Sequence, residues 1–249
     1  LIMAGGTGGH IYPALACAKV FESQGYDVRW LGSKGGMELD LVPKHDIEID
    51  AISIKGVRGN GLKGLLFAPF RILYAVGQSI ALVRRFRPNV VLGMGGFVAG
   101  PGGVAAKLCS VPLVVHEQNA VAGFTNKLLS GMATVVLQAF DNAFSSGKKI
   151  HTVGNPVRSS IVGIAEPQKR LSDRQGPLNV LVVGGSLGAV ALNNVVIEMM
   201  GLQELKLNLW HQTGARNYDA VKAGYESAQI EDVKVSAFIS DMAGAFAWA

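Results

Sequence analysis

His10 ends the run Gly5-Gly6-Thr7-Gly8-Gly9-His10, directly behind the apolar Leu1-Ile2-Met3-Ala4 and ahead of a stretch compatible with a helix. A histidine at a helix start can cap or pack. It can also work as a general base, because the positive end of the helix dipole favours the neutral ring. A second set of side chains able to do chemistry, His116-Glu117-Gln118-Asn119, stands between an apolar run and a glycine-bearing loop. That location is the carboxyl end of a strand, the edge at which open α/β sheets bind ligands. Glu117 is the second candidate base, and plain satisfaction of buried polar groups is the alternative for each of the four.

Two further glycine-rich turns repeat the first arrangement. One spans residues 93–103 behind Val90-Val91-Leu92, and the other is Gly184-Gly185-Ser186-Leu187-Gly188-Ala189 behind Val180-Leu181-Val182-Val183. Glycine lets a backbone turn sharply and approach a ligand, and a helix start offers unpaired N–H groups to an anion. Three such turns over both halves of the chain point to phosphate chemistry, with two diphosphates as one reading. The third turn also satisfies G-x-S-x-G, which would make Ser186 the nucleophile of an α/β hydrolase. The acid and histidine such an enzyme needs are represented downstream only by Glu198, Glu204 and His211, all close to Ser186. Gly100-Pro101-Gly102-Gly103-Val104-Ala105, with Glu117 following, is a loose dinucleotide fingerprint, and a non-catalytic nucleotide-binding module is a further alternative. No Walker A sequence and no D-x-D pair occur.

Positioning these residues takes strand–helix alternation with apolar runs too continuous for half-exposed strands, the pattern of buried parallel sheets. Strands are expected over 1–4, 28–31, 49–54, 90–92, 113–116, 135–137 and 151–153. Helices are expected over 11–23, 36–44, 69–86, 101–108 and 125–131, with Pro13 in the first turn of its helix. A polar stretch over 165–177 reads as an inter-domain connection, and alternation restarts over 180–183, 191–200, 207–212, 215–228 and 233–238. Two domains result, 1–156 and 157–249.

With 49% hydrophobic and 16% charged residues the chain is globular rather than disordered. Its net charge of +5 favours phosphorylated substrates or anionic lipid headgroups. Nucleic acid is not expected, because Lys and Arg are scattered without aromatic interleaving. Cys17 and Cys109 read as small core residues, and the histidines lack metal-ligand spacing. Residues 62–83 are too interrupted by Lys63, Pro69, Arg71 and Gln78 to span a bilayer. Leu73, Val76, Ile80 and Val83 recur at helical spacing as a face for the sheet. Leu65, Leu66, Phe67 and Phe70, beside Arg58, Lys63 and Arg71, form either a core edge or a surface that rests on an anionic bilayer.

Five motifs stand in one order: residues 5–14, Gly93-Met94-Gly95-Gly96, His116-Glu117-Gln118-Asn119, Gly154-Asn155-Pro156-Val157-Arg158 and Gly184-Gly185-Ser186. In that order they resemble the MurG family of N-acetylglucosaminyltransferases, which convert lipid I to lipid II in bacterial peptidoglycan synthesis. The resemblance runs along essentially the whole chain. It implies an α/β protein of GT-B type, two Rossmann-like doubly wound parallel-sheet domains facing a cleft, the second truncated. It further implies an inverting, metal-independent reaction without cofactor. The donor would be UDP-N-acetylglucosamine and the acceptor undecaprenyl-diphosphate-linked muramyl-pentapeptide. A peripheral place on the cytoplasmic face of the inner membrane, among anionic lipids, is implied as well.

By the same resemblance Gly6, Gly8, Gly95 and Gly96 would face the acceptor diphosphate. Thr7, Gly8, Gly9, His10, Asn119, Arg158, Gly185, Ser186 and the Ile239 backbone would hold the donor. His10 and Glu117 are the catalytic candidates. Leu187 departs from the amide side chain common at its position, and the family continues beyond Ala249, so this stretch alone is expected to be inactive.

Overall fold

The computed structural model describes residues 1–54, 61–145, 147–185, 188–201 and 207–249, with the backbone alone at 61–66. They form two compact units, Leu1–Arg158 and Ser159–Ala249. The first alternates β1 (Ile2–Ala4), α1 (Gly8–Ser23), β2 (Arg29–Ser33), α2 (Glu38–Leu41), β3 (Glu48–Ile52), α3 (Gly61–Phe86), β4 (Val91–Gly95), α4 (Ala99–Leu108), β5 (Leu113–Glu117), α5 (Phe124–Met132), β6 (Val135–Gln138) and β7 (Ile150–Thr152). All seven strands are parallel in the order β3-β2-β1-β4-β5-β6-β7. Strand order reverses between β1 and β4, and the crevice outside the carboxyl ends at such a switch point is where doubly wound sheets bind ligands. Gly5-Gly6 leaves β1 there, and Gly95-Gly96 leaves β4.

Every residue of β1 and β4 is buried, as a sheet covered on both faces requires. Trp30 of β2 is wholly buried and donates its indole N–H to the Ala4 carbonyl at 2.9 Å, bracing β1 just before its glycine turn.

Three expectations need correction. Helix α1 starts at Gly8, not Ile11, so Pro13 lies in the second turn. Helix α3 starts at Gly61, eight residues before Pro69, and continues through that proline. Its inward face is Ala68, Ala75, Ser79, Leu82 and Val83. Leu73 lies two residues before Ala75, about 200° round the helix, and is 68% exposed. The stretch 93–103 is likewise not a single turn. Gly100, Gly102 and Gly103 lie within α4, where a Cβ on Gly102 would meet Met3 and one on Gly103 would meet Leu129. These glycines seat α4 closely on β1 and α5, and a fingerprint inside a helix cannot make the dinucleotide turn.

The second unit opens with α6 (Ser159–Val162) and α7 (Pro167–Leu171). It continues with β8 (Leu178–Val183), α8 (Val190–Gly201), β9 (Leu207–Gln212), α9 (Tyr218–Ser227), β10 (Val233–Ser236) and α10 (Met242–Trp248). Its three strands are parallel in the order β10-β9-β8 around Val196, Leu209, Val221 and Tyr225. The expected connection over 165–177 is instead folded into this unit. Arg170 donates to the Phe246 carbonyl at 2.8 Å and Arg174 to that of Ala247 at 2.7 Å, cations meeting the open carbonyls of α10. Asp241 caps the other end of α10, accepting from the Gly244 N–H at 2.9 Å. Among the described residues no helix is long and apolar enough to cross a membrane.

Candidate active site

The two glycine turns of the first unit interlock. A Cβ on Gly96 would strike the Gly5 carbonyl, and one on Gly95 would strike the His10 ring. Gly95 and Gly96 also have φ of 105° and 84°, a left-handed backbone that other residues rarely adopt. Beneath the turns lies Glu38, fully buried, and a Cβ on Gly5, Gly32 or Gly36 would run into it. Its carboxylate accepts from the Gly6 N–H at 3.1 Å, the Ser33 N–H at 2.8 Å and the Ser33 hydroxyl at 2.6 Å. Gly6 therefore lines the turn without offering its N–H to an anion. Helix α1 has no side-chain cap, so the N–H groups of Gly8 and Gly9 are the natural anion donors.

A hydrogen-bond relay fixes the His10 ring. Gln118 Nε2 donates to the His116 carbonyl at 3.2 Å, and because a carbonyl only accepts, this sets the amide orientation. Gln118 Oε1 then faces His10 Nδ1 at 2.8 Å, so Nδ1 carries a proton, and in the neutral ring Nε2 is the lone-pair nitrogen. Gln118 Nε2 also reaches His116 Nδ1 at 3.0 Å, and His116 Nε2 donates to the Gly154 carbonyl at 3.0 Å. Two backbone carbonyls, those of His116 and Gly154, can only accept, and they fix the direction of every bond from Gly154 back to His10. Burial holds His116 below the ordinary imidazole range, against smaller raising effects of the Gly154 bond and the Glu117 charge. Asn155 donates to the Gln118 carbonyl at 3.1 Å, tying the fourth motif to the third.

Glu117 is buried and fully engaged. One carboxylate oxygen accepts from the Asn119 N–H at 3.0 Å and its Nδ2 at 2.7 Å. The other accepts from the Gly123 N–H at 3.0 Å and Asn126 Nδ2 at 2.9 Å. Burial alone would raise its pKa, but these bonds outweigh it and hold the carboxyl below the usual range. Glu117 thus organises the loop between β5 and α5, a poor arrangement for a base, which needs a free lone pair near neutral affinity. Of Glu38, Gln118 and Asn126, which help to organise the turns and the loop, only Gln118 has a signal in the sequence, as a member of the polar cluster.

A cavity of about 950 Å³ opens over these turns. Gly5, Gly6, Thr7, His10, Gly95, Gly96 and Glu117 belong to its lining, and the remainder is largely apolar side chains of α3, α4 and α5. Exposed Asn119 lies at the end of β5, and Arg158 stacks its guanidinium on the Tyr12 ring at 4.5 Å. Beyond the cavity α3 presents Phe67, Phe70, Leu73 and Tyr74 to solvent beside exposed Arg71. The side chains of Lys63, Leu65 and Leu66, and all of Arg58, lie outside the described residues.

In the second unit Gly185 has φ 79° with nothing within 4 Å of a built Cβ, whereas a Cβ on Gly188 would strike the Thr213 carbonyl. Ser186 and Leu187 lie outside the described residues. Ile239 is buried. His211 is wholly buried, with Nδ1 on the Tyr225 hydroxyl at 2.8 Å and Nε2 on Asn193 Oδ1 at 3.1 Å. Burial lowers its pKa and pushes that of Tyr225 up to about 12. With both nitrogens engaged inside the core, His211 cannot serve the hydrolase alternative.

The family models agree with this architecture. The glycosyltransferase family 28 N-terminal domain matches residues 1–138, and the family 28 C-terminal domain matches residues 179–249. The chain belongs to glycosyltransferase family 28. It is a glycosyltransferase of the GT-B fold, in the MurG group of that family. A relative from Photorhabdus laumondii is 51% identical over the whole chain, which covers 69% of it. One from Serratia proteamaculans is 52% identical over the whole chain and 70% of its own length. Both are named UDP-N-acetylglucosamine--N-acetylmuramyl-(pentapeptide) pyrophosphoryl-undecaprenol N-acetylglucosamine transferase. The crystal structure of Acinetobacter baumannii MurG superposes with TM-score 0.73 at 42% identity, covering all of this chain and 70% of that one.

Proposed function

We propose that this family 28 chain transfers N-acetylglucosamine from its UDP form to the muramyl 4-hydroxyl of a polyprenyl-diphosphate-linked acceptor, by inverting displacement without a metal. The observation that carries the mechanism is the hydrogen bond that commits His10 Nδ1 to Gln118, so that in the neutral ring Nε2 is the nitrogen with the lone pair. The names of the relatives supply the two substrates. The hydroxyl oxygen attacks the anomeric carbon as its proton passes to His10 Nε2, and the sugar–phosphate bond breaks on the opposite face with its electrons going to UDP. Glu117 holds the loop that carries Gln118 and Asn119, a positioning role. Thr7, Gly8, Gly9 and Asn119 border the sugar. Arg158, the third turn and the Ile239 backbone take the UDP part. Leaving-group charge is met by N–H groups and a cation, the kind of preorganised dipole that gives large rate effects. Residues 1–158 would then be the acceptor-facing domain and the remainder the donor domain.

Transfer of labelled N-acetylglucosamine to a lipid I analogue by the full-length protein tests the reaction, and a donor hydrolysed without acceptor transfer would overturn it. For the third turn Gly185→Asn is the clean substitution, since asparagine tolerates the left-handed backbone that valine does not. We expect at least tenfold weaker UDP binding by calorimetry with unchanged circular dichroism, and unchanged affinity would remove the turn from the donor site.

The exposed α3 face is proposed to rest on the cytoplasmic leaflet. Each basic residue near an anionic surface contributes roughly 1 kcal/mol, enough with inserted apolar side chains for reversible attachment. Co-sedimentation with vesicles should rise with phosphatidylglycerol content, fall with salt, and drop severalfold in Phe70→Ser/Leu73→Ser. Equal binding to neutral vesicles would assign the face to another role.

A further inference from the structure

The cavity over the glycine turns has two kinds of lining. One is the backbone of Gly5, Gly6, Gly95 and Gly96, next to the uncapped start of α1, with Glu117 and Asn126 as polar neighbours. The other is apolar: Ile72 and Val76 of α3, Phe97 and Val104 at and within α4, and Phe124, Leu128 and Met132 of α5. Large apolar side chains at its mouth are left in water: Phe124 is 70% exposed, Leu128 60%, Phe97 53% and Ile72 41%. Scattered exposed apolar residues are ordinary, but a ring of them around one concavity marks a binding groove. Ile72 shares its helix with the outward Phe70 and Leu73, so the apolar lining leads toward the face assigned to the bilayer.

A groove that combines backbone suited to an anion with an apolar lining fits an amphiphile. Resting on the acceptor reading given above, we propose that this groove takes the first isoprenyl units of the acceptor. The diphosphate would lie at the α1 start, and the chain would run between α3, α4 and α5 before it enters the bilayer. The protein would then recognise the acceptor by its lipid as well as by its sugar. The lipid-proximal units would leave the membrane for each turnover, bringing the muramyl hydroxyl up to His10.

Short prenyl diphosphates in detergent-free buffer test the groove without the bilayer. Each buried methylene typically tightens binding about fourfold. Calorimetry with the full-length protein should therefore show dissociation constants falling at least tenfold from dimethylallyl through geranyl to farnesyl diphosphate, with inorganic diphosphate weakest. Leu128→Glu and, separately, Ile72→Glu should flatten that series and leave inorganic diphosphate binding unchanged. Both positions are exposed, so the fold is not threatened, and circular dichroism verifies it. Phe70→Glu, outside the groove, should keep the series while weakening vesicle binding. One affinity for all four diphosphates, or a series that survives both groove variants and is lost in Phe70→Glu, would overturn the proposal. Transfer to a water-soluble acceptor analogue, measured in parallel, separates this failure from a failure of the transferase reading.

Discussion

Replacing His10 by alanine lowers kcat by about 10²–10⁴-fold, the range of a positioned general base, with a much smaller change in donor affinity. The expectation follows from the relay: Nδ1 is committed to Gln118, so Nε2 is the nitrogen that can take the acceptor proton. The acid limb of the pH–rate profile, which reports protonation of the base, should vanish in His10→Ala. Gln118→Leu removes the acceptor that fixes the tautomer and should lower kcat by about tenfold or more with KM little changed, a loss of correct protonation rather than of binding. Gln118→Glu restores an acceptor and adds charge that holds a proton on the ring, so activity should partly return with the limb moved to higher pH. An acid limb that persists in His10→Ala would show that another group is the base. A loss confined to KM would make His10 a ligand for the diphosphate.

Glu38→Ala should cost the first unit about 3 kcal/mol, since an unsatisfied buried donor typically costs roughly 1–3 kcal/mol and this change strands three. They are the N–H groups of Gly6 and Ser33 and the Ser33 hydroxyl. Urea unfolding followed by fluorescence of Trp30, the sole tryptophan of residues 1–158, measures it. Catalysis should suffer as well, because Gly6 loses the bond that holds the first turn against Gly96. A loss below 1 kcal/mol would mean that water or the hydroxyl rotor replaces the carboxylate.

Strand–helix alternation was legible in sequence because strands of parallel sheets are runs of β-branched and other apolar residues, so Val91-Leu92 and Val180–Val183 declare themselves, although β4 is buried throughout and β8 only partly. Helix starts were not. Gly8-Gly9 has poor intrinsic helix preference, yet α1 begins there, and Pro69 reads as a helix start because proline favours the first turn, whereas α3 carries it inside. Leu73 was placed inward because alternative apolar stripes on α3 differ only by rotation, and only the sheet chooses among them. The stretch 165–177 looked like a connection because its basic side chains find their partners some 70 residues later, on the carbonyls of α10. Of the site, the glycine turns and His10 could be read from local pattern. Glu38 could not, since an acid in Glu38-Leu39-Asp40 has the appearance of a solvated charge until three glycines make room for it.

The relay has a kinetic meaning for the birth of the enzyme. His10 and Gln118 are 108 residues apart, and His116 and Gly154 are 38 apart. No local segment can assemble such a site, and loop-closure entropy must be met for each long-range pair before any of them rewards the chain. A nascent or partly refolded first unit therefore has its strands and helices before it has an oriented base. During synthesis, acid–base competence arrives only once Gly154 has emerged and β7 has joined the sheet, as one of the last events in the maturation of that unit.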